Sequence, residues 1–324
     1  MKTLVIKLFI FFVLVYTTIS LFSLFAREEL DPDNYLATTI DKHARLNSME
    51  SPKIIFVGDS SLAFGLDAKT IEGALQRPTS NMGLHAALGL EFTFKEIGDT
   101  INKNDVVFLS FHYYPNDMDI NQGVICHTLD FYPRLKQRIV TNPLDGLRLD
   151  LICKIKRIRR YIVNRRASLV PNEGESLVVE GSLEVFSYAR SSFTEYGDVR
   201  DSLYKTSEIN FEGASQDMNI VSQWKTIREI QVFSKHVQSH GASIYFVFPP
   251  YPKSKYEYNS EFIEKFADML RKNTDMNILG SPMSFTFSDD SFFNSDYHLT
   301  SFGKKEYTKR IIGLLKSSFE AQVR

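Results

Sequence analysis

The chain has 324 residues, 43% hydrophobic and 24% charged, which is enough apolar material for one large α/β domain or two small ones and excludes a disordered or collagen-like chain. Its 38 Lys and Arg offset 39 Asp and Glu for a net charge of -1, so no global field draws it to nucleic acid. Two cysteines exclude a disulfide-dense scaffold and a four-cysteine zinc site.

Residues 8–26 run without a charge between Lys2 and Lys7 on one side and Arg27, Glu28 and Glu29 on the other. About 20 apolar residues span a bilayer, whereas the apolar core of a cleavable signal peptide is about 7 to 15 residues. The run sits at the long end, and Leu24-Phe25-Ala26 is a poor small-x-small cleavage site. Residues 1–30 therefore read as a cytoplasmic tip and an uncleaved transmembrane anchor, in preference to a signal peptide. Either reading exports residues 31–324. Lysines before the run and acidic residues after Arg27 hold Met1 in the cytoplasm by the positive-inside rule, which predicts a single-pass membrane protein whose main domain is extracytoplasmic, periplasmic or at the cell surface. In that oxidising setting Cys126 and Cys153 either pair or stay buried as small apolar side chains, and both readings stand.

Beyond the anchor, short β-type runs alternate with helical stretches, the pattern of a parallel sheet covered by helices. Residues 53–57 (KIIFV) predict the first strand, Asp67 caps a helix reaching Gln76, a short segment before Asn81 predicts the second strand, and residues 91–101 predict a second helix. Residues 105–111 (DVVFLSF) form a continuous apolar run, as a strand buried on both faces requires. Residues 118–218 lose this rhythm and read as an insertion. Within it, Lys154, Lys156, Arg157, Arg159, Arg160, Arg165 and Arg166 interleave with Ile155, Ile158 and Ile162. That pattern suits an interfacial helix on anionic headgroups or an acidic glycan, or, in the preferred reading, a solvated helix packing its Ile stripe on the domain. Residues 219–240 predict a long helix, 243–248 (SIYFVF) a strand, 261–271 a helix and the surroundings of Asn277 a short strand. Thr300 caps a final helix in which Tyr307, Ile311, Leu315 and Phe319 recur every four residues.

Chemistry-bearing residues gather at the ends of these elements. Gly58-Asp59-Ser60-Ser61 directly follows the first strand. Ligands of open α/β sheets bind at that carboxyl edge, where a Ser at a helix N-terminus exposes its hydroxyl beside N–H groups suited to an anion. Asp296-Tyr297-His298 precedes the last helix. In an extended loop, residues two apart point to the same side, so Asp296 is expected to hold one imidazole nitrogen and leave the other free to take a serine proton. Alone, the motif reads as a helix-start Asp beside a surface His. Asn81-Met82-Gly83 follows the second strand and would turn a Gly N–H toward the same cleft; alone, it reads as an ordinary turn.

Together, the early Gly-Asp-Ser, the Gly after the second strand and the Asp/His pair before the C-terminal helix resemble the SGNH (GDSL-type) hydrolase superfamily. The closest resemblance is to its membrane-anchored members related to polysaccharide O-acetylation, with a Leu-rich N-terminal helix and an Asn-x-Gly-Leu-His second block, here Asn81-Met82-Gly83-Leu84-His85. The resemblance covers residues 50–112 and 243–320. It implies an α/β fold, a flavodoxin-like three-layer parallel sheet with helices on both faces, here with an added transmembrane helix and the long insertion. It implies Ser60 as nucleophile, His298 as base and Asp296 as its orienter, with Ser60, Gly83 and Asn116 forming the oxyanion hole. The third block reads His112-Tyr113-Tyr114-Pro115-Asn116-Asp117 without the usual Gly-x-Asn-Asp, and Ser295 stands where the family places an Asp three before the His. Asn294 and Asp290 are the stand-ins for Asp296.

The resemblance implies a membrane-anchored, extracytoplasmic serine esterase or O-acyltransferase acting on acyl esters of a cell-surface polysaccharide or lipid-linked glycan, with a membrane acyl-transfer protein as a partner. The alternative is a catalytically silent SGNH-fold subunit that binds glycan or assembles polysaccharide-modifying machinery, and the irregular third and fifth blocks favour it. No P-loop or GxGxxG is present. His236 and His240 have no carboxylate between them, and Cys126-His127 lacks a companion CxxC, so neither a metal nor a cofactor is expected.

Overall fold

The computed structural model describes residues 1–26, 30–113, 120–169, 188–200 and 220–323. It opens with helix α1 (Lys2–Phe25), whose 24 residues reach about 36 Å at 1.5 Å per residue against a hydrocarbon core of about 30 Å. Among the described residues, α1 is the one helix long and apolar enough to cross a membrane. Helix α2 (Thr38–Ser48) leads into strand β1 (Ile54–Gly58), followed by α3 (Ser60–Gly65), α4 (Ala68–Leu75), β2 (Thr79–Asn81), α5 (Leu90–Ile97) and β3 (Val106–Ser110). Helices α6 (Gln122–Phe131), α7 (Leu135–Ile139) and α8 (Pro143–Leu169) come next. The chain then continues through α9 (Ile220–Ser239), β4 (Ser243–Val247), β5 (Tyr251–Pro252), α10 (Lys253–Asn273), β6 (Asn277–Leu279), β7 (Thr286–Phe287) and α11 (Ser301–Val323).

Five strands form one parallel sheet in the order β2-β1-β3-β4-β6, flanked by helices, while β5 and β7 pair separately. The three continuous apolar runs of the sequence are its central strands. Every residue of β1 and β3 is buried, because helices cover both sheet faces and leave no room for polar alternation. Phe56, Phe108 and Tyr245 stack across β1, β3 and β4 with ring centroids 4.9 and 5.3 Å apart. Strand order reverses between β1 and β3, so the crevice for a ligand opens at their carboxyl ends, where Gly58 lies opposite Ser110.

Local signals set the helix ends. Asp67 accepts the Thr70 N–H at 2.9 Å to start α4, which closes on Gln76 in the left-handed region at φ 53°. Thr300 Oγ1 accepts the Gly303 N–H at 3.3 Å to start α11, and Tyr307, Ile311 and Leu315 are buried from that helix; the side chain of Phe319 lies outside the described residues. Helix α10 starts at Lys253 rather than near Glu261, because Tyr256 and Asn259 extend its buried stripe upstream into a stretch of mixed polarity.

Of the expected insertion, residues 120–169 and 188–200 are described. Cys126 of α6 and Cys153 of α8 form a disulfide with Cα atoms 4.9 Å apart. The bridge fixes which face of α8 meets α6, and of the Ile stripe expected to pack on the domain only Ile158 is half-buried. Ile155 and Ile162 are exposed, while Arg157 and Arg160 turn inward onto the buried carboxylate of Asp130. A buried carboxylate needs cationic partners more than α8 needs to bury two isoleucines. The same helix meets the polar face of α1: Tyr16 donates to Asp150 at 2.7 Å, Lys154 donates to Ser20 at 2.8 Å and Arg157 donates to Ser23 at 2.6 Å.

Candidate active site

The site begins with a glycine that steric contact demands. A Cβ on Gly58 would stand 1.6 Å from the Ser110 carbonyl oxygen, so only Gly lets β1 close on β3 at this point. Asp59 follows in extended conformation and caps α3, its Oδ1 accepting the Ser61 N–H at 2.8 Å. Its other oxygen accepts the His112 N–H at 2.8 Å and lies 2.5 Å from His112 Nδ1. Burial pushes the Asp59 carboxyl up, but the hydrogen bonds and charge of His112, with help from Ser61, outweigh it and bring the pKa to about 2. The Asp59-His112 pair thereby ties the end of β3 to the turn that presents Ser60.

Ser60 opens α3 with its hydroxyl on the cleft, and its Oγ lies 2.9 Å from Nε2 of His298 across 238 residues of chain. The His298 ring stacks on Phe64, one turn further along α3, at 4.0 Å between centroids and 13° between planes. Nδ1 of His298 lies 2.7 Å from Asn294 Oδ1, and Asn294 in turn donates through Nδ2 to the Tyr188 hydroxyl at 2.7 Å. An amide oxygen can only accept, so Nδ1 carries the imidazole proton and Nε2 presents its lone pair to the Ser60 O–H. Burial pushes the His298 pKa down to about 4, opposed by the charge of Asp59 and reinforced by that of His85, so the ring is neutral at pH 7.

Asp296 does not orient His298. Its carboxylate pairs with Lys255 at 2.7 Å instead. The period-two expectation assumes an extended loop, whereas Asp296 and Tyr297 form a turn closed by a His298 N–H to Ser295 C=O bond of 3.4 Å. That turn brings the residue four before His298 to the ring, which is why the stand-in Asn294 takes the place and Asp290 does not. The Gly83 N–H, expected to line the oxyanion hole, donates to Asn81 Oδ1 at 2.9 Å in a local Asx turn. Its glycine character has a packing cause: a Cβ there would stand 2.6 Å from both the Asp59 carbonyl oxygen and Leu62 Cβ. Asn116 lies outside the described residues.

Sequence reasoning missed the brace behind the site. Residues 188–200 return to the domain and hold the Asn81 turn in place. The Asn81 N–H donates to the Tyr196 carbonyl at 2.9 Å, and Asn81 Nδ2 donates to Asp198 at 2.7 Å. The second oxygen of Asp198 accepts the Ala68 N–H at 2.7 Å, and the Val199 N–H donates to Ala63 of α3 at 2.9 Å. Gly197, at φ 91°, passes so close to Asn81 that a Cβ would stand 2.2 Å from its carbonyl oxygen. Lys42, fully buried, donates to that carbonyl at 2.8 Å; burial pulls its pKa down to about 7 against the attraction of Asp198 and Glu96. Only the Tyr196-Gly197-Asp198 sequence, a turn signal, marks this segment in advance.

No protein-family model matches the chain, and no curated protein shows significant similarity to it.

Proposed function

We propose that the chain is a membrane-anchored, extracytoplasmic serine esterase or O-acyltransferase of SGNH type, built on a flavodoxin-like sheet and acting on acyl esters of a cell-surface glycan. One observation carries the reading: the Ser60 hydroxyl sits 2.9 Å from a His298 nitrogen whose proton is held on the opposite side of the ring by Asn294. In this reading Ser60 Oγ adds to an ester carbonyl as His298 Nε2 takes its proton. The imidazolium returns that proton to the departing alcohol, leaving an acyl-serine. Water then releases the acid, or a sugar hydroxyl accepts the acyl group. The N–H of Ser60, the first residue of α3, has no acceptor among the described residues and is the backbone donor left for the developing oxyanion. The apolar α1 supports the anchor, and the lysines before it support a cytoplasmic Met1.

A second reading, a silent glycan-binding or assembly subunit on the same fold, is favoured by the engaged Gly83 N–H and by an amide, that of Asn294, in the orienting place on His298.

The uncharged orienter gives the enzyme reading a distinctive pH signature. With His298 held down to about 4, kcat/KM for p-nitrophenyl acetate is expected to hold through mildly acid pH and to fall only near pH 4, where the base becomes protonated. Asn294→Asp places a carboxylate on Nδ1, favours the imidazolium and is expected to raise the acid limb by about 1 to 3 pH units. A wild-type limb near 6.5 that Asn294→Asp leaves in place would remove Asn294 from the mechanism, and no serine-dependent hydrolysis at any pH would favour the silent subunit.

A further inference from the structure

The donor inventory of the site leaves a gap, because among the described residues Ser60 keeps one N–H without an acceptor and the N–H of Gly83 is taken by Asn81. One described side chain on the same turn has the chemistry to fill it. His85 lies two residues beyond Gly83, which packs against the Asp59 carbonyl oxygen immediately before Ser60. Two residues of chain span at most about 7 Å, so the backbone of His85 stays near the turn that carries Ser60, and the charge of His85 acts on His298 while that of Asp59 acts on His85. Its place is fixed from both sides. The Tyr35 hydroxyl donates to the Leu84 carbonyl, and the Tyr35 ring meets the His85 ring edge-on at 6.3 Å. Tyr35 also contacts Tyr188, which contacts Phe64, on which His298 stacks, so both histidines stand on one aromatic cluster.

The protonation state of His85 follows from its neighbour. Nδ1 accepts the Ala87 N–H at 3.0 Å, so the neutral ring carries its proton on Nε2, and that N–H has no acceptor among the described residues. Burial lowers the His85 pKa, with the charge of Asp59 opposing, which favours the neutral ring. A neutral imidazole N–H is a competent electrophile toward a developing oxyanion.

We propose that His85 Nε2–H is the second oxyanion donor, taking the part for which the Asn-x-Gly motif offers Gly83. This rests on Ser60 acting as the nucleophile. When Ser60 Oγ bonds to the carbonyl carbon, the π pair moves onto the carbonyl oxygen, the serine proton passes to His298, and His85 donates a hydrogen bond to that oxygen while keeping its proton. His85 thus acts on the reacting oxygen and His298 on the reacting proton.

The test uses the full-length chain in detergent, with p-nitrophenyl acetate for turnover and a fluorophosphonate for acylation rate. His85→Ala is expected to lower kcat and the labelling rate by about 10²- to 10³-fold with KM changed by less than about threefold. His85→Gln, whose amide N–H donates from a similar reach, is expected to recover part of the loss. Labelling of either variant at the wild-type rate overturns the donor role, as does a loss of kcat/KM carried by KM with kcat unchanged. If His85→Ala does not fold, the His85→Gln labelling rate and kcat decide alone. A folded wild-type chain that takes no label at all fells the serine reading itself, and with it this proposal.

Discussion

His298→Ala is expected to lower kcat/KM for ester hydrolysis by about 10²- to 10⁴-fold with the fold retained. The residue contributes to structure mainly through its backbone, whose carbonyl accepts the Phe293 N–H at 2.8 Å, and alanine keeps that bond. What is lost is the base on Ser60 and a ring stacked on Phe64. A thermal melt separates the two roles, because a purely structural His298 would lower activity only in step with Tm. Melting against pH supplies an independent readout. Burial holds the native pKa near 4, below the unfolded value of about 6.5, so between those values the unfolded chain binds more protons. The wild type should therefore lose stability as pH falls from about 6.5 toward 4, and the alanine variant should lose less over the same window.

Gly58→Ala is expected to cost more than about 4 kcal/mol, enough to abolish the folded domain, measured as the midpoint of denaturant unfolding or as failure to accumulate. The added carbon would meet the carbonyl oxygen of Ser110 at 1.6 Å and its carbon at 2.8 Å, both backbone atoms of the neighbouring strand, and the Leu62 side chain at 2.9 Å. Relief would require parting β1 from β3 at the register pair Gly58 and Ser110, where Asp59, Ser60 and His112 are anchored. Gly73→Ala is the control. It lies inside α4 with nothing within 4 Å of the new carbon, and it should stabilise the protein by about 0.5 to 1 kcal/mol. Equal tolerance of both substitutions would contradict the close approach of the two strands.

Legibility in the sequence followed the range of the interactions. The KIIFV, DVVFLSF and SIYFVF runs announce the central strands because short, β-branched and aromatic apolar runs suit a sheet covered on both faces. Asp67 and Thr300 announce helix starts because a cap is a bond across three residues. The structure brings Ser60, where β1 ends and α3 begins, together with His298, from the loop that leads into α11. The orienter was misread because period-two geometry fails in a turn, so Asp296 points to Lys255 and Asn294 reaches the ring. Tyr188 and Asp198 were illegible for another reason: each acts on residues more than a hundred positions away, and nothing local in a polar segment records such a partner. The face that α8 turns inward belongs with these, being set by Asp130 and the Cys126–Cys153 bridge rather than by its own periodicity.

The central claim is that His298 activates Ser60, and intact-mass analysis of the full-length chain in detergent after fluorophosphonate treatment tests it most directly. The account predicts one adduct on the wild type and none on Ser60→Ala. A folded wild type that takes no adduct, or an adduct that persists on Ser60→Ala, would contradict it.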